Sequence, residues 1–364
     1  MKVAFLSRST LFSSPGGDTI QLEQTAASLR KIGVSVDIRL AHEQLQYAAY
    51  DLIHFFNIIR PADLLRHARK ASCPIVLSTI FVDYSEYDKN YRKGMVGWLS
   101  RTTNRDTVEF VKAIARRIKN GEPINSRSYL WRGHRNSIRY LLNRSACLLP
   151  NSHSEYQRLV RDYGVERPYR VIPNAIDTDR FGQTAIPTPS DRKGLLAVGR
   201  IEQYKNQLAL IQAIRNSDYS LTIVGKPAAN HLDYYEECQR AAGENVAFVP
   251  HLPQEELVAW YLKARVHVVP SWFETTGLSN LEAGVLGCQL VITDRGDTTE
   301  YFQEDAFYCE PDSVASIRAA IDQAYRAPFS ENLRERILNE YTWDRAASKT
   351  KEAYEWTLNH IKAP

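Results

Sequence analysis

Between residues 266 and 293 the chain reads as strand, loop, helix and strand, and this unit limits the fold more than any other stretch. Val266-His-Val-Val269 is a short apolar run of the kind a parallel strand buried on both faces requires. The loop after it holds Glu274 and Gly277. Leu278, Leu281, Val285 and Leu286 then fall on one helical face, and Leu290-Val-Ile-Thr293 is a second strand. Such a unit belongs in a parallel sheet with helices on its faces. Glu274 and Glu282 are separated by seven residues, the first in the loop and the second about one turn into the helix. A ligand at the helix start lies within reach of both. The backbone N–H groups of Gly277, Leu278, Ser279 and Asn280 open the helix without internal acceptors, which suits phosphate. Acceptors for hydroxyls beside donors for phosphate fit a nucleotide-sugar.

The remaining chain repeats the pattern. Lys2-Val-Ala-Phe-Leu6 is a buried strand, Ser13–Asp18 a loop containing Gly16 and Gly17, and Ile20, Leu22, Ala26, Ala27 and Leu29 an amphipathic helix face. Val34–Leu40 follows as a strand, then Asp51–Phe56 and Pro74–Thr79. This is the opening of a doubly wound α/β domain. Pro15-Gly-Gly17 reads equally as a turn or as a place where backbone approaches a ligand. His54, near a strand end, is either a substrate contact or a structural histidine. A second series begins with Leu195–Gly199 and continues through Ser220–Gly225 and Asn245–Val249. Arg200 and Lys205 follow its first strand and converge on one loop; they read as surface charge or, as their place after a strand favours, as a diphosphate clamp with arginine as a fork and lysine as a point charge. Lys226 is a further phosphate candidate, and Glu300 is either a helix-capping charge or a sugar or phosphate contact. The C-terminal part is helical, ending with Trp343 to about Ile361.

A chain of 364 residues favours two domains. The charge agrees: residues 1–180 carry 28 Lys+Arg against 17 Asp+Glu, and the remainder 18 against 25. The whole excess of the first half lies in residues 89–144, with fourteen Lys+Arg against Asp106, Glu109 and Glu122. Val108, Val111, Ala115 and Ile118 recur there at helical spacing beside Lys112, Arg116, Arg117 and Lys119, with Met95, Trp98, Leu99, Leu130 and Trp131 interleaved. Two readings stand: a solvated helical insertion whose aromatics are core, or a surface that docks on an anionic membrane or serves a lipid-linked acceptor. No nucleic-acid module is present, so nucleic acid is not expected as a partner. No apolar run reaches the ~20 residues of a membrane span. The five cysteines are scattered without a Cys-x-x-Cys pair, which points to a reduced cytoplasm and against zinc.

Glu274-x7-Glu282 followed by Ala283-Gly-x-x-Gly287 and a strand resembles the retaining glycosyltransferases of family 4, also called glycosyl transferases group 1. The resemblance implies a GT-B architecture, α/β with two Rossmann-like doubly wound domains facing across a cleft. Residues 1–175, with a crossing helix at about 343–364, are then the acceptor-binding domain, and 176–342 the domain that binds the nucleotide-sugar donor. Ile172-Pro-Asn174 and Asp177 leading to Phe181 and a Pro- and Thr-rich stretch to Ser190 match the family's interdomain crossing, with Ala175 where glycine is usual. It further implies that Arg200, Lys205 and Glu274 are catalytic, that Glu282, Gly277, Leu278 and Ser279 bind donor, and that Gly16 and Gly17 face it. His251 lies where the family sets backbone against the nucleobase. The family's histidine two residues after a strand-end threonine is Phe81 here, so Asp83, Tyr84 or His54 takes over a polar contact, or the donor lacks it. Asp177-x-Asp179 reads as a cap, and no metal or other cofactor is expected beyond a UDP- or GDP-sugar as substrate.

These readings lead to a hexosyltransferase that acts on a glycan or lipid-linked acceptor in bacterial cell-surface polysaccharide or glycolipid synthesis. It is expected in the cytoplasm, with peripheral attachment to the inner face of the plasma membrane. A GT-B sugar-nucleotide epimerase or phosphorylase, and a non-catalytic nucleotide-sugar-binding scaffold, are the alternatives.

Overall fold

A computed structural model describes residues 1–92, 94–121, 124–182, 184–188 and 191–360. Glu122, Ser190 and Ile361, and the side chains of Met95 and Lys119, lie outside the described residues. The chain forms two compact units, one of Met1–Asn174 with the C-terminal helix Trp343–His360, the other of Ala175–Thr342. Each is an α/β body on a parallel sheet.

In the first unit the described strands are β1 (Lys2–Ser7), β2 (Ser35–Leu40), β3 (Leu52–Phe56), β4 (Ile75–Ser78) and β5 (Cys147–Leu149), ordered β2-β1-β3-β4-β5. Every residue of β3, β4 and β5 is buried, as the mostly apolar strands between two helical layers must be. Strand order reverses between β1 and β3, so their carboxyl-end loops diverge to opposite faces and leave a crevice. The C-terminal helix Trp343–His360 packs on the first helix, Gly17–Lys31, and Lys351 Nζ donates to the Ile32 carbonyl at 3.3 Å. Tyr169–Ile172 runs beside β5 through Arg170 N–H to the Leu148 carbonyl and Ile172 N–H to the Pro150 carbonyl, both 2.9 Å. Pro168 and Pro173 supply no N–H at its ends, so it is a bridge and not a full strand.

The second unit holds β6 (Leu195–Val198), β7 (Leu221–Val224), β8 (Val246–Val249), β9 (Val266–Val269), β10 (Gln289–Thr293) and β11 (Phe307–Cys309), in the order β11-β10-β9-β6-β7-β8. The edge strand β11 adds to those read from the sequence. Here the order reverses between β6 and β9. All five cysteines are buried and unpaired.

The basic segment folds as helices Ser85–Asn90, Gly94–Thr102, Arg105–Asn120 and Arg127–Arg144, the last broken at Gly133, where φ is +70°. The periodic apolar set of Arg105–Asn120 does not share one environment. Val108 is buried, whereas Val111, Ala115 and Ile118 are exposed. The helix instead packs inward through Phe110 and Ala113. Lys112, satisfied by Asp88 at 2.6 Å and Glu109 at 2.8 Å, is largely buried with them.

Candidate active site

The loops leaving β6 and β9 are neighbours because their strands pair. The β6 loop closes as a short turn, Gln203–Lys205, ended by Asn206 at φ +61°, a left-handed conformation that asparagine tolerates. Asn206 Nδ2 donates to the Pro270 carbonyl at 3.1 Å and to the Pro311 carbonyl at 2.7 Å, and Trp272 N–H donates to the Tyr204 carbonyl at 2.9 Å. These bonds fix the two loops side by side at the switch point of the sheet, where open α/β folds collect ligands.

Lys205 and Glu274 meet there. Lys205 Nζ lies 2.5 Å from Glu274 Oε2, which also accepts from Ser271 Oγ at 3.1 Å. The backbone of Glu274 is stapled to the loop after β10: its N–H donates to the Arg295 carbonyl and its carbonyl accepts from Asp297 N–H, both at 3.0 Å. Gly296 is required at this staple, because a Cβ there would overlap the Glu274 carbonyl and its φ is +108°. Loops from three adjacent strands thus hold one carboxylate. Arg200, on the β6 loop, is 55% exposed and 3.2 Å from the buried Glu202.

Gly277 precedes the helix Leu278–Val285 at φ +69°, and a Cβ would strike the Asn280 side chain. Among the described residues the N–H groups of Gly277, Leu278 and Ser279 have no acceptor. The Asn280 N–H, expected to join them, donates to the Gly277 carbonyl at 2.8 Å, so the cradle is three amides and not four.

Glu282 is buried on the same helix. Its Oε1 accepts from Gln254 Nε2 and its Oε2 from the Tyr261 hydroxyl, each at 2.9 Å, and Arg180 donates to Gln254 from behind. Burial raises the Glu282 carboxyl to about 7, against the pull of Tyr261 and Gln254. Lys226 and His251 are exposed beyond the ends of β7 and β8, and Glu300 is half-buried in the first turn of Thr298–Phe302. Asp177 caps the helix Thr178–Phe181 through Asp179 N–H at 3.1 Å. Among the described residues no three His, Cys, Asp or Glu side chains are grouped to hold a metal.

In the first unit the switch point between β1 and β3 carries its own polar cluster. Arg8 donates to Asp18 at 2.8 and 3.0 Å, and Asn57 Nδ2 donates to Asp18 at 3.2 Å. Burial pushes the Asp18 carboxyl up, but Arg8 and Asn57 more than offset this and hold it below its ordinary value. Beside it opens a shallow, solvent-open hollow lined by Ser9, Thr10, Arg60, Asp63, Arg116 and His134, among others. Gly17 begins the helix Gly17–Lys31 in the open, and Gly16, its N-cap, is in extended backbone.

His54 is not a surface contact. It is 1% exposed, its Nδ1 2.7 Å from the Tyr354 hydroxyl and its Nε2 2.8 Å from Ser78 Oγ. Burial lowers its pKa to about 3, so it is neutral and ties β3 to the C-terminal helix. Asp83 is occupied as well, pairing with Arg105 at 3.3 Å and accepting from Ser85 N–H at 2.9 Å. Tyr84 is half-buried ahead of Ser85–Asn90. Phe81 is fully buried, and its N–H donates at 2.8 Å to the buried Glu155 carboxylate, which also accepts from Thr79. The sequence reading missed Asn206, Ser271, Gly296, Tyr261 and Gln254. Only Gly296, a glycine in a polar loop after a strand, carried a local signal.

Residues 181–341 match the family model described as glycosyl transferases group 1. D-inositol 3-phosphate glycosyltransferase 2 of Catenulispora acidiphila is 27% identical over 59% of this chain and 57% of its own length. The chain thus spans little more than half of that curated relative. Among solved structures, sucrose-phosphate synthase from Thermosynechococcus elongatus superposes with a TM-score of 0.76 at 18% identity, over 99% of this chain and 100% of that one. HepE of Anabaena in complex with UDP-glucose gives 0.70 at 15%, over 98% and 100%. Those structures share the GT-B fold, two parallel-sheet α/β domains. The chain carries that fold, and its residues 181–341 belong to the group 1 glycosyltransferases.

Proposed function

We propose that this chain is a retaining hexosyltransferase that moves a sugar from a nucleoside-diphosphate sugar to a glycan or lipid-linked acceptor, in synthesis of a bacterial surface polysaccharide or glycolipid. The observation that carries this reading is the Lys205–Glu274 pair at the β6/β9 switch point, next to a helix that opens with three unoccupied amides. Breaking the sugar–phosphate bond leaves charge on the diphosphate. Lys205, Arg200 and the amides of Gly277, Leu278 and Ser279 are donors already fixed where that charge develops, and one such donor is worth ~10²–10³ in rate. Glu274, with Oε2 engaged by Lys205 and Ser271, has Oε1 left for sugar hydroxyls and for the positive anomeric centre. Each oxygen of Glu282 accepts one internal bond and keeps a lone pair for a ribose diol. No covalent nucleophile is assigned; same-face attack with the leaving phosphate as base gives retention.

HepE was solved with UDP-glucose, which favours a UDP-sugar over a GDP-sugar here. The second unit is the donor-binding domain and the first the acceptor-binding domain, its hollow beside Arg8 and Asp18 taking the acceptor. Release of nucleoside diphosphate from UDP- and GDP-sugars by purified protein tests the reading. Slow donor hydrolysis that disappears in Glu274→Ala supports it. Release that is untouched by Glu274→Ala refutes it.

A further inference from the structure

The helix Arg105–Asn120 packs inward through Val108, Phe110 and Ala113 but carries a second apolar stripe that faces outward. A helix on a protein surface ordinarily turns its apolar stripe inward and its charges to water. Here Val111, Ala115 and Ile118 stand at i, i+4 and i+7, on one stripe, and all three are exposed; Ile118 is 80% exposed and Val111 40%. Lys112 and Glu109 turn instead toward the body of the unit, paired with one another and with Asp88. In the first turn of the next described helix, Arg127–Arg144, the pattern persists: Leu130 is 48% exposed and Trp131 90%. Gly133, at φ +70°, breaks that helix just after them and lets its first turn point its own way.

We propose that this stripe and the Leu130–Trp131 turn dock on an anionic lipid bilayer. On the same two helices Arg117, Arg127, Arg132 and Arg139 are exposed, while Asp106 is paired with Arg135 at 3.2 Å and Glu109 with Lys112 at 2.8 Å. Exposed apolar side chains together with arginines that have no carboxylate partner among the described residues match acyl chains beneath anionic headgroups, and tryptophan settles at that boundary. A second copy of the chain is the poorer partner, since it would bring the same arginines face to face. Among the described residues no helix is long and apolar enough to cross a membrane, so the helix lies in the plane of the interface. Docking goes beyond the transfer reading and requires neither donor nor turnover.

Flotation of the full chain with vesicles of phosphatidylcholine, alone and mixed with phosphatidylglycerol, tests this without any sugar nucleotide. Wild type is expected to float with the mixed vesicles and much less with the neutral ones, with a blue shift of tryptophan emission. V111S/I118S and W131S each lower vesicle affinity by about tenfold, the loss when inserted apolar surface stays in water. The substituted side chains are already exposed, so circular dichroism and nucleotide release in the absence of vesicles stay as in wild type. Equal partition of wild type and V111S/I118S overturns the proposal. So does a wild-type dimer, seen by light scattering, that V111S/I118S dissolves.

Discussion

Glu282→Gln should make the protein more stable at alkaline pH while weakening its hold on donor. The carboxyl titrates at about 7 in the folded chain against 4.5 ordinarily, so the folded state binds the extra proton between those values. Stability therefore falls as pH rises from 4.5 to 7, and above 7 the buried charge costs about 3 kcal/mol. An amide of the same shape keeps its carbonyl toward Gln254 Nε2 and turns its NH2 to the Tyr261 oxygen. Tyr261 O–H then loses its acceptor inside the protein, a cost of about 1 kcal/mol. The net gain at about pH 8.5 is about 2 kcal/mol, and the two stability curves cross near about pH 5. Urea unfolding followed by tryptophan fluorescence across that range measures it. A Glu282→Gln variant that is less stable than wild type at about pH 8.5 refutes the reasoning, because the carboxylate would then be charged without penalty in the fold.

Three further outcomes follow from the geometry. Lys205→Ala removes a fixed cation from the leaving group and should cut nucleotide release by about 10²–10³, with circular dichroism unchanged; a loss under about tenfold denies Lys205 that role. Gly296→Ala forces a Cβ onto the Glu274 carbonyl at φ +108°, so turnover should collapse and thermal unfolding should fall by at least the ~1–2 kcal/mol of a left-handed backbone. Unchanged turnover would show that the staple does not position Glu274. His54→Ala leaves Tyr354 and Ser78 unpaired in the core and should cost about 2–4 kcal/mol with acceptor KM unmoved, whereas a raised KM in a fully stable variant would return His54 to the acceptor site.

The sheets were legible because a strand buried on both faces leaves an unbroken apolar run, as at Leu290–Ile292 and Leu195–Val198. Gly277, Lys205 and Glu274 could be singled out one by one because they stand in the loops after β9 and β6, where ligands collect, but the pairing of Lys205 with Glu274 was not legible. What escaped the sequence was set by distant partners. His54 is made structural by Tyr354, three hundred residues further along. Glu282 is buried by Tyr261 and Gln254, on a helix that nothing near Glu282 announces. The helix Arg105–Asn120 has the periodicity of an ordinary amphipathic one, yet it turns Phe110 and Ala113 inward and leaves Val111, Ala115 and Ile118 outside. Period fixes which residues share a face, not which face turns inward, and here Asp88 decides that by receiving Lys112.

The account depends on a nucleoside diphosphate lying at the carboxyl ends of β6 and β9. A crystal structure with UDP bound should place its phosphates on the Gly277, Leu278 and Ser279 amides, within hydrogen-bonding distance of Lys205 and Arg200, and its ribose at Glu282. Phosphates found anywhere else on the chain, with those five groups untouched, would contradict it.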